Sequence, residues 1–198
     1  MSFIVAIDGP AGTGKGTVTK ILAKKFKLIN VDTGAMYRCV ALEMLNKGIK
    51  IEELDKIKEM LENITIDLKE ENGVQTVFLN GENVTKDIRS KEVSEIVSPV
   101  SSIREVRLKM VALQRKMAEG KDIIMEGRDI GTYVFPTADV KIYLDADLEE
   151  RARRRFQQNK EKGINMSYVE VLENIKKRDE NDKSKELGAL KVAHDAEV

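Results

Sequence analysis

The chain has 198 residues, 41% hydrophobic and 34% charged, which is enough apolar material to bury the core of one folded domain. Its 34 basic and 34 acidic residues balance, so it lacks the positive field on which sequence-independent nucleic-acid binding depends, and we expect no nucleic-acid partner. No apolar run reaches the length of a membrane span and no leader-like segment is seen, so we expect a cytoplasmic protein without a membrane partner.

Strand and helix patterns alternate along most of the chain. Short apolar runs typical of buried strands lie at residues 3–8, 28–32, 122–126 and 140–145. Helical periodicity is found around residues 18–26, 34–44, 106–117 and 147–160. This alternation predicts an α/β fold in which helices cover a central parallel sheet.

Residues 64–86 break the alternation. Ile64, Ile66 and Leu68 alternate with polar residues, and two Asn-Gly pairs follow at 72–73 and 80–81. Because Asn-Gly supplies the positive φ angles of a two-residue hairpin turn, we predict a small antiparallel meander of three strands. We interpret this meander as an insert in the α/β domain.

Two residue types that often carry chemistry occur once each. Cys39 lies in an apolar helical stretch and has no second cysteine to pair with, so we expect it to pack in the core. His194 is the only histidine, and a metal site needs several ligands, so we expect a surface or packing residue.

The strongest chemical signal is a glycine-rich segment between the first strand and the first helix. Its residues are Gly9, Pro10, Ala11, Gly12, Thr13, Gly14, Lys15, Gly16 and Thr17. Such a turn points successive backbone N–H groups inward, and the start of the helix adds partial positive charge, which together form a cradle for a polyphosphate. Lys15 supplies a cation that can reach the β- and γ-phosphates. The segment therefore predicts a phosphate-binding loop (P-loop) for ATP.

The segment departs from the strict P-loop motif at one position. Gly16 stands directly after the lysine, where the motif has a hydroxyl residue, and the hydroxyl follows at Thr17. Mg²⁺ keeps much of its hydration shell in proteins, so Thr17 can contact a phosphate or hold the metal through water. The sequence leaves the direct Mg²⁺ ligands open.

With Lys15 and Thr17, the glycine pattern is similar to that of nucleoside monophosphate kinases. Three further segments, Asp32–Arg38 (DTGAMYR), Glu126–Thr132 (EGRDIGT) and Lys177–Asp179 (KRD), resemble the bacterial cytidylate kinases in particular. The resemblance implies a three-layer α/β/α P-loop domain over residues 1–198. It also implies a core of about 1–63 and 87–198, a β insert at about 64–86 on the nucleoside monophosphate side, and a short helical lid at about 151–167.

The resemblance also implies a role for each matching residue. The acceptor phosphate is expected at Thr33, Arg38 and Arg128, the cytosine at Ser98, Arg107 and Asp129, and the pentose at Arg178 and Asp182. Guanidinium groups suit a phosphate because their fork matches its oxygens, and a carboxylate can accept a hydrogen bond from the exocyclic amine of cytosine. Arg178 and Asp182, taken alone, are equally typical of a charged helix surface.

Arg151, Arg154 and Arg155 are spaced to share one helical face ahead of the polar stretch 157–163. By itself such a run is typical of a solvated face. In the light of the resemblance, we expect lid arginines that close on ATP, with Arg151 on the nucleotide and Arg154 and Arg155 joining Lys15 and Arg128 in catalysis.

The activity implied is transfer of the γ-phosphoryl group of ATP to CMP or dCMP with Mg²⁺, by a protein that is expected to be a monomer. A kinase for another nucleoside monophosphate or small acceptor remains an alternative, and a nucleotide-binding switch is a further one. The last residues, Asp195–Val198, have the pattern of a beginning strand. We expect this strand to continue in relatives, so the chain is expected to be truncated there or to have fewer adenine contacts.

Overall fold

A computed structural model describes residues 2–71, 74–161 and 163–198. The predicted turn at Asn72-Gly73 lies outside the described residues. The helices and strands are β1 (Ile4–Asp8), α1 (Lys15–Phe26), β2 (Ile29–Asp32), α2 (Thr33–Asn46), α3 (Leu54–Asn63), β3 (Ile66–Glu71), β4 (Val74–Leu79), β5 (Glu82–Asn83), a 3₁₀ turn (Asp87–Arg89), α4 (Lys91–Val100), α5 (Arg104–Ala118), β6 (Ile123–Glu126), a π turn (Ile130–Val134), β7 (Val140–Tyr143), α6 (Leu148–Glu161) and α7 (Tyr168–Ser184).

The described residues form a central four-stranded sheet in the order β2-β6-β1-β7. All three pairings are parallel, which confirms the fold class predicted from the alternation of strands and helices. Because β1 lies between β6 and β7, the segments that follow these three strands meet at the same edge of the sheet. The P-loop and the EGRDIGT segment are therefore neighbours.

Alternate residues of β1 point to opposite faces of the sheet and enter two different hydrophobic clusters. Val5 and Ile7 pack with Ala23 of α1, whereas Ala6 packs in the larger cluster that includes Met36 and Met110 of α2 and α5. Helices therefore cover both faces, which gives the three layers expected. Cys39 is fully buried in the larger cluster, as predicted.

Strands β3, β4 and β5 form a separate antiparallel sheet, as predicted for the insert. Asn80 and Gly81 connect the last two strands with φ angles of 50° and 87°, the positive values that a tight hairpin turn requires. Val77 and Leu79 join the larger core cluster, so one face of the insert packs on the α/β domain.

Helices α6 and α7 form a hairpin with its own small core of Ala152, Val171 and Ile175. Ser167 begins α7 with a capping box, in which its side chain accepts from the Glu170 amide and the Glu170 carboxylate accepts from the Ser167 amide. The ring of Phe156 meets that of Tyr168 edge to face at 6.1 Å. The segment interpreted as a lid is thus one arm of a packed hairpin.

Near the C-terminus, Glu197 pairs with the central sheet as a beginning strand would. Glu197 forms a parallel bridge with Ile142 of β7, in which its amide donates to Lys141 and its carbonyl accepts from Tyr143. His194 is 92% exposed at its side chain, as expected for a surface residue.

No helix within residues 2–71, 74–161 and 163–198 combines the length and apolar character of a membrane span.

Candidate active site

The P-loop connects β1 to α1, and two of its glycines are required by the backbone. Gly9 has a φ of 144°, and a Cβ at this position would lie 2.0 Å from the carbonyl oxygen of Leu144. Gly14 has a φ of 97° and caps α1, with its carbonyl accepting from Thr17 and Val18. Larger residues would therefore push the loop away from the strand edge or strain the start of the helix.

Lys15 is folded back across this loop. Its ammonium group donates to the carbonyl of Pro10 at 2.6 Å and to the hydroxyl of Thr13 at 3.3 Å, and only 6% of the residue is exposed. Burial lowers the pKa of Lys15 well below its ordinary value, and the nearby Arg128 lowers it further. No carboxylate among the described residues bonds to this buried cation, which makes it electrostatically suited to a polyphosphate.

Asp8, at the end of β1, fixes the EGRDIGT segment to the P-loop strand. Its two carboxylate oxygens accept from the backbone amides of Ile130 at 2.8 Å and Gly131 at 2.7 Å. Burial raises the pKa of Asp8 to about 6, although these two hydrogen bonds oppose the shift. Asp8 thereby holds Arg128 and Asp129 on the same edge of the sheet as Lys15.

Glu126 and Asp32 place two carboxylates beside the first turn of α1. A Cβ on Gly16 would lie 3.1 Å from Oε1 of Glu126. Burial, followed by the neighbouring Asp32, raises the pKa of Glu126 to about 7. Lys15, Arg128 and Lys20 oppose this shift only in part, and a divalent cation would add the remaining positive charge that two neighbouring carboxylates favour.

These residues fit a Mg²⁺ ion. In the part of the chain that the structure describes, no three His, Cys, Asp or Glu side chains cluster as a metal site of their own. Mg²⁺ does not need such a cage, because it is commonly held by one or two carboxylates, phosphate oxygens and water. Glu126, Asp32 and the exposed hydroxyl of Thr17 offer the oxygen donors that this arrangement uses.

Thr33 and Arg38 lie on α2, which begins at the carboxyl end of β2. The Thr33 hydroxyl donates to the Glu126 carbonyl at 2.7 Å, and Asp32 caps the helix by accepting from the Ala35 amide. The Arg38 guanidinium donates to the carbonyl of Ile88 at 3.0 Å and to the hydroxyl of Ser94 at 2.9 Å. Helix α2 therefore carries both residues from the sheet edge toward the insert.

Arg128 is held by Asp182 of α7, with 2.9 Å between the guanidinium Nε and the carboxylate. The other carboxylate oxygen accepts from Lys185 at 2.7 Å. Burial opposes the charge on Asp182, but Arg128 and Lys185 overcome this and lower its pKa to about 2. Asp182 is thus an ionised anchor that orients Arg128.

Arg178 lies among the cations of the site. Its Nε atom is buried and has no hydrogen-bond partner among the described residues. Burial lowers the pKa of Arg178 to about 10, followed by Arg128, with smaller contributions from Arg38 and Arg155. A buried donor in such a group is suited to an anionic or hydroxyl-rich ligand.

Arg107 and Asp129 form a buried ion pair between α5 and the EGRDIGT segment. Arg107 also donates to the hydroxyl of Tyr37, and its guanidinium lies over the rings of Tyr37 and Tyr133. Gly188 covers the pair, because a Cβ there would lie 2.0 Å from Nη2 of Arg107 and 2.1 Å from Oδ2 of Asp129. The arrangement presents donors and an acceptor in the pattern that an aminopyrimidine ring complements.

Ser98 lies at the end of α4 and contacts α7. Its carbonyl and hydroxyl oxygens accept from the side-chain amide of Asn181 at 3.2 and 2.8 Å. Asn181 also donates to the Ser102 hydroxyl at 3.2 Å. Ser98 is therefore held by Asn181, which lies one turn of α7 after Arg178 and directly before Asp182.

The three arginines of α6 lie on one side of the helix, as their spacing predicts, but they do not share one environment. Arg151 is buried and donates to the Ala11 carbonyl at 3.1 Å and to Asp179 at 2.6 Å, so it ties the hairpin to the P-loop. Arg155 is half-buried near Arg128. Arg154 is exposed and paired with Glu150 at 2.9 Å. Arg151 and Arg155, an i, i+4 pair, therefore face the site, whereas Arg154 points toward Glu150.

Comparisons with known proteins agree on one family. A family model described as cytidylate kinase matches residues 5–198. The chain belongs to the cytidylate kinase family. The cytidylate kinase of Caldicellulosiruptor saccharolyticus is 53% identical over 98% of this chain and 86% of its own length. Those of Fusobacterium nucleatum and Bacillus subtilis are 46% and 43% identical over 98% and 97% of this chain, and over 88% and 86% of their own lengths.

The resemblance to bacterial cytidylate kinases read from four short motifs is confirmed by this match. Sequence reasoning missed the residues that support the candidate site. Asp8 contacts the EGRDIGT motif, and Asn181 and Lys185 contact the candidate site residues Ser98 and Asp182, but none of the three has a distinctive spacing in the sequence. Glu126 was read only as part of a motif. Its position at the end of a strand next to the P-loop strand was a signal for a metal-facing carboxylate.

Proposed function

We propose that this cytidylate kinase family member transfers the γ-phosphoryl group of ATP to CMP or dCMP, giving ADP and CDP or dCDP. One observation supports this most strongly. Asp8 bonds the segment that carries Arg128 and Asp129 directly to the strand that precedes the P-loop, so the cation Lys15 and a second, arginine-lined pocket share one edge of the sheet. A hydrolytic switch needs only the first of these two sites.

The donor is proposed to lie on the P-loop. The backbone of residues 9–17 and Lys15 bind the polyphosphate, and Arg151 holds the lid hairpin against the loop. Glu126, Asp32 and Thr17 are the residues that would hold Mg²⁺. When bound, Mg²⁺ supplies positive charge to the phosphate oxygens. Pro10 and Thr13 engage two of the three donors of the Lys15 ammonium group, so Lys15 must release at least one of them to bind more than one phosphate oxygen.

The acceptor is proposed to lie across the sheet edge from the donor. Thr33, Arg38 and Arg128 bind its phosphate, Arg178 and Asp182 bind the pentose, and Ser98, Arg107 and Asp129 bind the cytosine. Arg178 has an unpaired buried donor and lies near Arg128, which allows it to contact the phosphate as well. Uracil would present an oxygen to the Asp129 carboxylate, a mismatch that costs roughly 1–3 kcal/mol.

The transfer needs no general base. An oxygen of the CMP phosphate, already anionic at neutral pH, bonds to the γ-phosphorus while the bond to the β–γ bridging oxygen breaks, and the leaving electron pair stays on ADP. Lys15, Arg128 and Arg155 are positioned to neutralise the oxygens around the phosphorus in transit. Arg154 would have to leave Glu150 to take part, so its catalytic role depends on closure of the lid.

We further propose that the whole chain works as one kinase domain, in which the insert at about 64–86 and the lid at about 151–167 close over a core of about 1–63 and 87–198. Closure excludes water, which would otherwise accept the phosphoryl group. A monomer in the cytoplasm remains our prediction for the state and place in which it acts.

A coupled assay of ADP release with CMP, dCMP, UMP, AMP and GMP as acceptors tests the function. We expect ADP formation that depends on the acceptor and is fastest with CMP or dCMP. A preference for AMP or GMP would indicate a different nucleoside monophosphate kinase. Slow ADP formation that no acceptor accelerates would instead favour a switch.

A further inference from the structure

The 3₁₀ turn after the insert carries an arginine that none of the recognised motifs includes. The turn is fixed by backbone hydrogen bonds from Ile88 to Val84 at 3.1 Å, from Arg89 to Lys86 at 3.0 Å and from Ser90 to Asp87 at 3.1 Å. The side chain of Ile88 is fully buried in the larger core cluster. Arg89 is exposed, but the backbone that carries it is held in place.

This turn forms part of the Arg38 pocket. The Ile88 carbonyl, one residue before Arg89, accepts from the Arg38 guanidinium at 3.0 Å. Ser94, one turn into α4, accepts from the same nitrogen at 2.9 Å. Ser90 links the two by capping α4 through the Val93 amide at 3.3 Å. Arg38 and Arg89 are therefore carried by elements that are bonded to one another.

Cations predominate where the turn that carries Arg89 faces Arg38 and Arg155. No ion pair among the described residues includes Arg89, although Asp87 and Glu92 are close to it along the chain. Burial lowers the pKa of Arg38, and Arg89 and Arg155 lower it further. Burial likewise lowers the pKa of Arg155, followed by Arg128 and Arg89. Guanidinium groups from three separate elements thus converge, and the Asp32 carboxylate offsets their effect on Arg38 only in part, which favours binding of an anion.

We propose that Arg89 is a further substrate-binding residue, which binds the phosphate of the nucleoside monophosphate acceptor together with Arg38 when the lid brings Arg155 over the site. The inference rests on the proposed function and extends its acceptor site by one residue. Arg89 belongs to the acceptor side because its turn is bonded to Arg38 and not to the P-loop. Since the insert ends at this turn, binding of the acceptor phosphate to Arg89 would also couple that phosphate to closure of the insert.

The test compares ligands with and without a phosphate. Binding of CMP and cytidine to the full chain is measured by calorimetry or, for weak binding, by competitive inhibition. In Arg89→Ala we expect affinity for CMP to fall about 10-fold, on the scale of one charge-assisted hydrogen bond, while cytidine binds as before. We also expect the KM for CMP to rise while the KM for ATP is unchanged, and Arg89→Lys to recover part of the loss.

Lys86→Ala is the matched control, because Lys86 is exposed on the same turn and interacts with Arg89 only through its backbone. It should match the wild type in every measurement.

Equal losses of affinity for CMP and cytidine in Arg89→Ala, or no loss for CMP, would overturn the proposal. Arg89→Gln replaces the alanine variant if that variant has a lower melting temperature. A wild-type chain without CMP-dependent ADP release would contradict the proposed function, whereas an active wild type with an unaltered Arg89→Ala variant would contradict only this inference.

Discussion

The P-loop and the acceptor pocket are built in opposite ways. Lys15 bonds to Pro10, five residues away, and the loop is complete within one short segment between β1 and α1. In the acceptor pocket, Arg38 bonds to Ile88 across 50 residues, and Arg128 bonds to Asp182 across 54. The loop therefore depends on local backbone geometry, whereas the pocket depends on the packing of several distant elements. Mutations in the loop should affect chemistry with little effect on folding, and mutations in the pocket should affect both.

Lys15→Ala should have the largest effect and tests the first half of this contrast. Loss of a preorganised cation beside the transferring group should reduce kcat at least about 10²-fold. The melting temperature should change little or rise, because burial of the Lys15 charge is unfavourable without a ligand. Lys24→Ala, on the exposed face of the same helix, serves as the control. Near-normal turnover in Lys15→Ala would remove the loop from the mechanism.

Asp182→Asn tests the second half, because Asp182 joins Arg128 to Lys185 within the pocket. Removing the charge leaves two cations without their partner, so the free energy of unfolding should fall by about 3 kcal/mol at pH 7. CMP turnover should fall as well. Chemical denaturation measures the first effect, with the exposed Glu180→Gln on the same helix as the control. If the free energy of unfolding is unchanged while CMP turnover falls, the acceptor pocket, like the P-loop, can be altered without affecting folding.

The difference between wild type and Asp182→Asn should depend on pH in one direction. The pKa of Asp182 is about 2 in the folded chain and 3.8 ordinarily, so the carboxylate stabilises the fold fully above pH of about 4. This stabilisation is lost as the pH falls from about 4 to about 2. The two proteins should therefore converge in stability over that range, and a constant difference would assign the effect to packing.

Asp129→Asn should have a smaller effect and separates recognition from folding inside the pocket. The amide can donate to uracil where the carboxylate cannot, so the preference for CMP over UMP should narrow about 10-fold. Loss of the Arg107 partner will also destabilise the chain, but that cost is common to both substrates and cancels in the ratio. Competing-substrate kinetics that give an unchanged ratio would remove Asp129 from the base site.

The same contrast explains what could be predicted from the sequence. The P-loop, the four core strands and the hairpin at Asn80-Gly81 follow from local patterns, and the structure contains all of them. Helices α3 and α4 were not predicted, although Ser90 followed by Val93, Val97 and Val100 has the cap and spacing of an amphipathic helix.

The separation of Arg154 from Arg151 and Arg155 could not be predicted. Helical spacing gives the angle between side chains, but the orientation of the helix comes from packing against α7 and from the bond between Arg151 and the Ala11 carbonyl. Asp8 shows the same limit. It ends an apolar strand like many aspartates, and only the fold brings it to the amides of Ile130 and Gly131. Hydrogen-bond partners that are far apart in the sequence produce no periodic pattern from which they could be predicted.

Gly188 has a consequence for the speed of binding. Its backbone covers Arg107 and Asp129, each of which is only 3% exposed. A pyrimidine ring can reach the pair only after the chain beyond α7 has lifted away. Association with nucleotide should therefore be slower than the rate of encounter in solution. At high ligand concentration, the observed rate constant should level off at the opening rate of this short stretch.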